Sequence, residues 1–126
     1  MKKLISTTQA PAAIGPYSQG VEIQGTMIFV SGQLPIDPNT GAFAGDDIVT
    51  QCHQSIRNVK AILETAGTDL EHVAKTTVFI KNMNDFSALN EVYAQYFSNG
   101  LPARSAVEVA CLPKGALVEI EAIAIK

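Results

Sequence analysis

The stretch NGLPARSAVEVACLPKGALVEIEAIAIK, residues 99–126, carries one arginine, Arg104, and two acids, Glu119 and Glu121, inside its closing apolar run. Arg104 sits beside Ala103, Ser105 and Ala106, which leave room around it. A guanidinium presents a planar fork of donors that matches a carboxylate through two parallel bonds. That fork could clamp an acid of its own chain or hold the carboxylate of a small organic acid. Glu119 and Glu121 stand two residues apart, so in a strand they point to one face. Burying either one unpaired is costly, so they either lie solvated at a rim or one of them lines a cleft. If the two segments form a hairpin, Arg104 comes opposite Glu121 or close to Glu119 in only one of two register parities. A meeting across a subunit boundary is equally open.

Other groups that could do chemistry are sparse. Cys52 and Cys111 lack metal-ligand spacing and read as structural thiols. His53 and His72 form no paired-histidine motif, so no metal site is expected. The net charge is −3 and the densest basic run is Lys2-Lys3, which disfavours nucleic acid as a main partner. MKKLISTTQAP begins like an export signal, but polar residues follow after two apolar ones. No run approaches the roughly 18 apolar residues of a membrane span, so a cytoplasmic protein is expected.

These residues need a frame. With 126 residues, 47% hydrophobic and 17% charged, the chain suits one globular domain over residues 1–126. QAPAAIGPYSQG, with its prolines and glycines, reads as an ordered loop carrying Tyr17. VEIQGTMIFVSG reads as two short strands around Gln24-Gly25, the second ending at Ser31-Gly32. A turn is expected at Asp37–Gly41. Ile48, Cys52, Ile56, Val59, Leu63 and Ala66 repeat at helical spacing, with Asp46 as N-cap and Gly67 as stop. VAKTTVFI, 73–80, is rich in β-branched residues and reads as a central strand. A second helix follows, with Phe86, Leu89, Tyr93 and Phe97 as its stripe, Asn84 or Asp85 as cap, and Gly100 as stop. The end reads as a hairpin of strands 105–110 and 116–125 turning at LPKG. The order β-β-α-β-α-β-β describes an α+β fold, a mixed sheet of five to six strands with two helices on one face. The last strand has Ile120, Ala122 and Ala124 on one side and Leu117, Ile123 and Ile125 on the other. Apolar on both sides, it calls for burial on both faces and so for an oligomer.

APAAIGPYSQG, SGQLPIDPNTG, KTTVFIKNMNDF, NEVYAQYF and PARSAVEVACLPKGALVEIEAIA together resemble the Rid family of reactive-intermediate (imine) deaminases, also called YjgF-like. They occur in the family's order and span nearly the whole chain. The resemblance implies a chorismate-mutase-like fold and a homotrimer whose sheets form a central barrel, with clefts between adjacent subunits. It implies hydrolysis of 2-imino or enamine acids such as 2-aminoacrylate to 2-keto acids and ammonia, without cofactor or metal. Arg104 matches the arginine that binds the substrate carboxylate, and Glu119 the acid that positions water or moves protons. Tyr17, Ser31, Gly32 and Asn90 match pocket positions. Ala106 stands where many members carry cysteine, so thiol chemistry there is lost while main-chain contacts survive. The alternative is a regulator that binds small carboxylates in the same cleft and acts through a protein partner. Ribonuclease activity, attached to some relatives, is disfavoured by the absence of a basic stripe.

Overall fold

The structure, a computed structural model, describes residues 1–126. Eight longer elements follow one another: β1 (Lys2–Ile5), β2 (Gly20–Ile23), β3 (Met27–Gln33), α1 (Ile48–Thr65), β4 (Val73–Ile80), α2 (Phe86–Tyr96), β5 (Ala103–Glu108) and β6 (Val118–Ile125).

The periodic segments fold as their spacing predicts. In α1 the residues Ile48, Cys52, Ile56, Val59 and Leu63 are buried along one stripe. Its N-cap is Asp47 rather than Asp46. The Asp47 carboxylate accepts from the Thr50 backbone N–H at 2.8 Å and from the Thr50 hydroxyl at 2.9 Å, satisfying a donor left free in the first turn. The helix stops where Gly67 turns to φ +87°, a conformation that glycine adopts without a Cβ clash. In α2 the buried residues are Leu89, Val92 and Tyr93, and Asp85 precedes the helix without a side-chain cap bond.

The strand order corrects the expected hairpin. The main sheet runs β3-β6-β4-β5, so β4 lies between β5 and β6. β4 pairs in parallel with β5, joined through α2, and antiparallel with β6. The reason lies in composition. β6 is apolar on both sides and is buried or half-buried throughout, which suits a strand with two neighbours. β5 carries exposed Ser105, Val107 and Glu108 and takes an edge. LPKG instead contributes to a short 3-10 turn at Pro113–Gly115 in the connection that carries the chain over to β6. β1, not foreseen from sequence, pairs antiparallel with β2 as a separate ribbon. A bridge between Ser18 and Ala103, with Ser18 N–H donating to Pro102 C=O at 3.0 Å, ties the Tyr17 loop to the start of β5.

The two faces of the main sheet differ. Val78, Ile80, Val118, Ile120, Ala122 and Ala124 join the core cluster with the stripes of α1 and α2. The opposite face has no helix over it. There Phe29 is 68% exposed, Met27 48% and Val107 44%, beside half-buried Phe79 and Ile123. Lys75, Thr77, Glu119 and Glu121 are interspersed among them, by the alternation of the strands.

Candidate active site

β5 places Arg104 next to Thr76 of β4 and so on the helix side of the sheet. There its Nη1 donates to Asn90 Oδ1 of α2 at 2.7 Å. Three rings surround the guanidinium: Tyr93 at 4.8 Å, Phe86 at 5.3 Å and Tyr17 at 5.5 Å from ring centroid to Cζ. No carboxylate pairs with it; the ion pairs of the chain are Lys60–Glu64 and His72–Asp69. Arg104 is therefore not clamped by Glu119 or Glu121. Burial pulls its pKa down from the ordinary arginine value, yet an arginine stays cationic at neutral pH. Nearby, burial pushes the Cys52 thiol and the Tyr93 phenol each up to about 12, so both stay neutral there. The local charge is one uncompensated cation.

Beside it lies a cavity of about 260 Å³, lined by Ile14, Gly15, Tyr17, Phe86, Asn90, Arg104 and Ala106. The Tyr17 loop is held by its own bonds. Tyr17 N–H donates to Gly15 C=O at 2.8 Å, and the Tyr17 hydroxyl accepts from Ile14 N–H at 3.4 Å. The Gln19 amide fixes the approach to it, accepting from Thr7 N–H at 2.7 Å and donating to Pro11 C=O at 2.6 Å. A Cβ on Gly15 would come within 3.4 Å of Arg104 Nη2, so the loop passes close over the guanidinium. A larger hollow of about 670 Å³, between β1 and residues 6–19, has no charged side chain in its lining.

The remaining candidates lie elsewhere. Glu119 pairs with Phe79 and points to the uncovered face, as does Glu121 beside Thr77. Ser31 and Gly32 fall in a bulge of β3, where the register against β6 shifts between Val30 and Gln33. A Cβ on Gly32 would lie 2.2 Å from Glu119 Oε2, so only glycine lets that carboxylate rest against β3. The structure thus brings Tyr17, Asn90, Arg104 and Ala106 around one cavity. It sets Gly32 against Glu119, which points to the other face of the sheet, with Ser31 next to Gly32 in the bulge. Sequence reasoning had placed Phe86 and Tyr93 in the apolar stripe of α2 without giving them a place beside Arg104. Their spacing to Asn90, four residues before and three after, was the available signal, since such residues share a helix face. No three His, Cys, Asp or Glu side chains converge as metal ligands. No helix is long and apolar enough to cross a membrane.

Comparison with known proteins bears on this geometry. The family model described as Endoribonuclease L-PSP matches residues 7–126. A RutC family protein of Pyrococcus horikoshii is 55% identical over 126 residues, covering 100% of this chain and 99% of the relative. A 2-iminobutanoate/2-iminopropanoate deaminase of Salmonella typhimurium is 53% identical over 129 residues, covering 100% of this chain and 99% of its own. Among solved structures, E. coli TdcF with bound serine has a TM-score of 0.77 at 48% identity, over 98% of each chain. YyfA of Yersinia pestis, described as belonging to the conserved Rid protein family, has a TM-score of 0.78 at 50% identity over 100% of both chains. A family match from residue 7 to residue 126, with relatives about half identical along the whole length, makes this protein a member of the Rid (YjgF/L-PSP) family.

Proposed function

We propose that this protein hydrolyses small 2-imino acids, and the enamine acids that tautomerise to them such as 2-aminoacrylate, to 2-keto acids and ammonia. The observation that carries the reading is Arg104: a half-buried guanidinium with no acid partner, at the wall of a small cavity. Such a group favours a small anion, and a charge-assisted bond to it contributes about 1.5–3 kcal/mol. Relatives of mouse and Salmonella, 50% and 53% identical, carry the name of a deaminase for two such imino acids.

Arg104 takes the substrate carboxylate on the donors that Asn90 leaves free. Tyr17, Phe86 and Ile14 flank the aliphatic end, and Ala106 limits its depth. Water adds to C2 of the imine, and the C=N electron pair goes to nitrogen, which takes a proton. In the resulting amino alcohol the proton of the hydroxyl is passed to the amine nitrogen, C=O forms, and the C–N bond breaks with its electron pair leaving on ammonia. A carboxylate that takes the proton from water and returns it to nitrogen supplies about 10²- to 10⁴-fold. We assign that role to Glu119. Glu119 and Arg104 point to opposite faces of one sheet, so the acid comes from a neighbouring copy. Ser31 and Gly32 accompany it at the same cleft. The exposed apolar residues Met27, Phe29 and Val107 support an assembly that covers this face, which we take to be a homotrimer.

A dehydratase acting on serine or threonine, coupled to keto-acid detection, tests the reading. Added protein should raise keto-acid release above the uncatalysed rate; an unchanged rate defeats the deaminase assignment. One observation favours a second reading, a binding protein without turnover: the relative TdcF holds serine, an amino acid, in its crystal. Serine affinity without acceleration in that assay would select it. The name of the family model suggests RNA cleavage. A chain with 12 acidic against 9 basic residues and one cation in its cavity offers no phosphate track for it.

A further inference from the structure

Arg104 has an unusual support for a half-buried cation. Its fixed neighbours are an amide oxygen and three aromatic rings, where a carboxylate would be the common choice. The nearest of those rings, Tyr93, is fully buried and does not line the cavity. Its ring stacks on that of Phe97 at 4.4 Å between centroids. Its hydroxyl bonds to Thr76 Oγ1 at 2.7 Å. Thr76 is itself fully buried and is the residue paired with Arg104 in the β4–β5 ladder. Backbone pairing, hydroxyl bond and ring face therefore close a loop: Arg104 to Thr76, Thr76 to Tyr93, Tyr93 back to the guanidinium.

We infer that Tyr93, tied to Thr76, is a positioning residue that holds the Arg104 guanidinium flat and aims its free donors into the cavity. The inference rests on the proposed role of Arg104 as carboxylate binder. The chemistry explains the choice of group. A ring face attracts a cation without consuming any of its N–H donors. An acid in the same place would take two donors and neutralise the charge that the substrate needs. Asn90, three residues before Tyr93 on α2, takes one donor and leaves the others free. The phenol, pushed up to about 12 by burial, stays neutral and does not become a competing anion. α2 thereby presents two consecutive supports to one side chain, an acceptor and a flat surface.

The test uses the full-length protein and two probes, 2-oxobutanoate and its uncharged amide. Tyr93→Leu, which removes the ring, should weaken 2-oxobutanoate binding about 5- to 30-fold. It should raise KM for the imino acid in the same proportion and leave amide binding unchanged. On an Arg104→Ala background the same substitution should cost no further affinity, because the two residues act as one unit. Full additivity, or equal loss for the amide, overturns the inference and leaves Tyr93 as ordinary core. Tyr93→Phe serves if the leucine variant does not fold. It keeps the ring, loses the bond to Thr76, and should weaken 2-oxobutanoate about two- to fivefold. It should also move the Arg104 Nε–H resonance in the unliganded protein. An unmoved resonance with unchanged affinity overturns the inference. Arg104→Ala separates the two failures: if it leaves 2-oxobutanoate affinity intact, the carboxylate reading falls, and the resonance still judges the bracket.

Discussion

Arg104 and Glu119 stand on opposite faces of one sheet, so mixing two inactive proteins should restore activity. Arg104 follows Thr76 to the helix side, whereas Glu119 follows Phe79 to the uncovered side. One copy cannot supply both to a single cleft. On the proposed role of Arg104, Arg104→Ala removes two charge-assisted bonds worth about 3–6 kcal/mol together and should lower kcat/KM about 10²- to 10⁴-fold. Glu119→Ala should lower kcat by a similar factor with less effect on binding. Each variant alone is thus nearly silent. Unfolded together in equal amounts and refolded, they assemble at random. A given cleft then draws an intact Arg104 from one copy and an intact Glu119 from its neighbour in about one case in four, whatever the ring size. The mixture should regain about one quarter of wild-type turnover in the dehydratase-coupled assay. Separately refolded samples combined afterwards should stay inactive as long as subunits do not exchange. Activity of the co-refolded sample no greater than the sum of the two single variants would refute the shared-cleft reasoning.

Other expectations follow from the same geometry. Gly32→Ala puts a methyl where Glu119 Oε2 now rests, 2.2 Å away, so it should lower kcat more than it raises KM, read by steady-state kinetics. Cys111 is exposed and Cys52 buried, so a thiol reagent should label one cysteine per native chain and two after denaturation. Stability should fall with rising alkalinity. The folded-state pKa of Cys52 and of Tyr93 is raised to about 12 from 9.0 and 10.0. Their contribution is fully present below pH 9 and is lost as pH climbs toward 12, by a few kcal/mol in all. Urea melts between pH 8 and 11 should show the loss, and Cys52→Ala should flatten it. Arg104→Lys should keep less than a tenth of kcat/KM, because an ammonium lacks the fork that can serve Asn90 and a carboxylate together.

What could be read from the chain was whatever repeats over a long element. The stripe of α1 and the β-branched run of β4 named their own structure and their own buried side. The two-sided apolar pattern of β6 was also legible, but its consequence was drawn incompletely. A strand buried on both faces suits the middle of a sheet, and a hairpin gives it only one neighbour. The short connection at LPKG favoured the local partner, while α2 carried β5 to the far side of β4. β1 has four residues, two of them lysines, and exists because β2 pairs with it; nothing local announces it. In the site, the residue type and small neighbours of Arg104 suggested chemistry, the family resemblance added Tyr17 and Asn90, and the structure sets the three around one cavity. The relation of Arg104 to Glu119 was beyond reach, because it depends on β4 lying between their strands. Phe86 and Tyr93 were hidden by double duty. Each serves the apolar stripe of α2 and also flanks a guanidinium, and an apolar stripe accounts for both residues without the second role.

The central place of β6 has a consequence for biosynthesis. β6 follows β1 to β5 and both helices along the chain, yet β3 and β4 both require it, with Met27 paired to Ile125 and Ile80 to Val118. While residues 118–125 are still inside the ribosome, the nascent chain has both helices but lacks the strip between β3 and β4 on which they close. Its apolar stripes then stay open to other partners. The core therefore closes only after residues 118–125 have left the exit tunnel, and until then chaperones that hold unfolded chains meet its open apolar stripes.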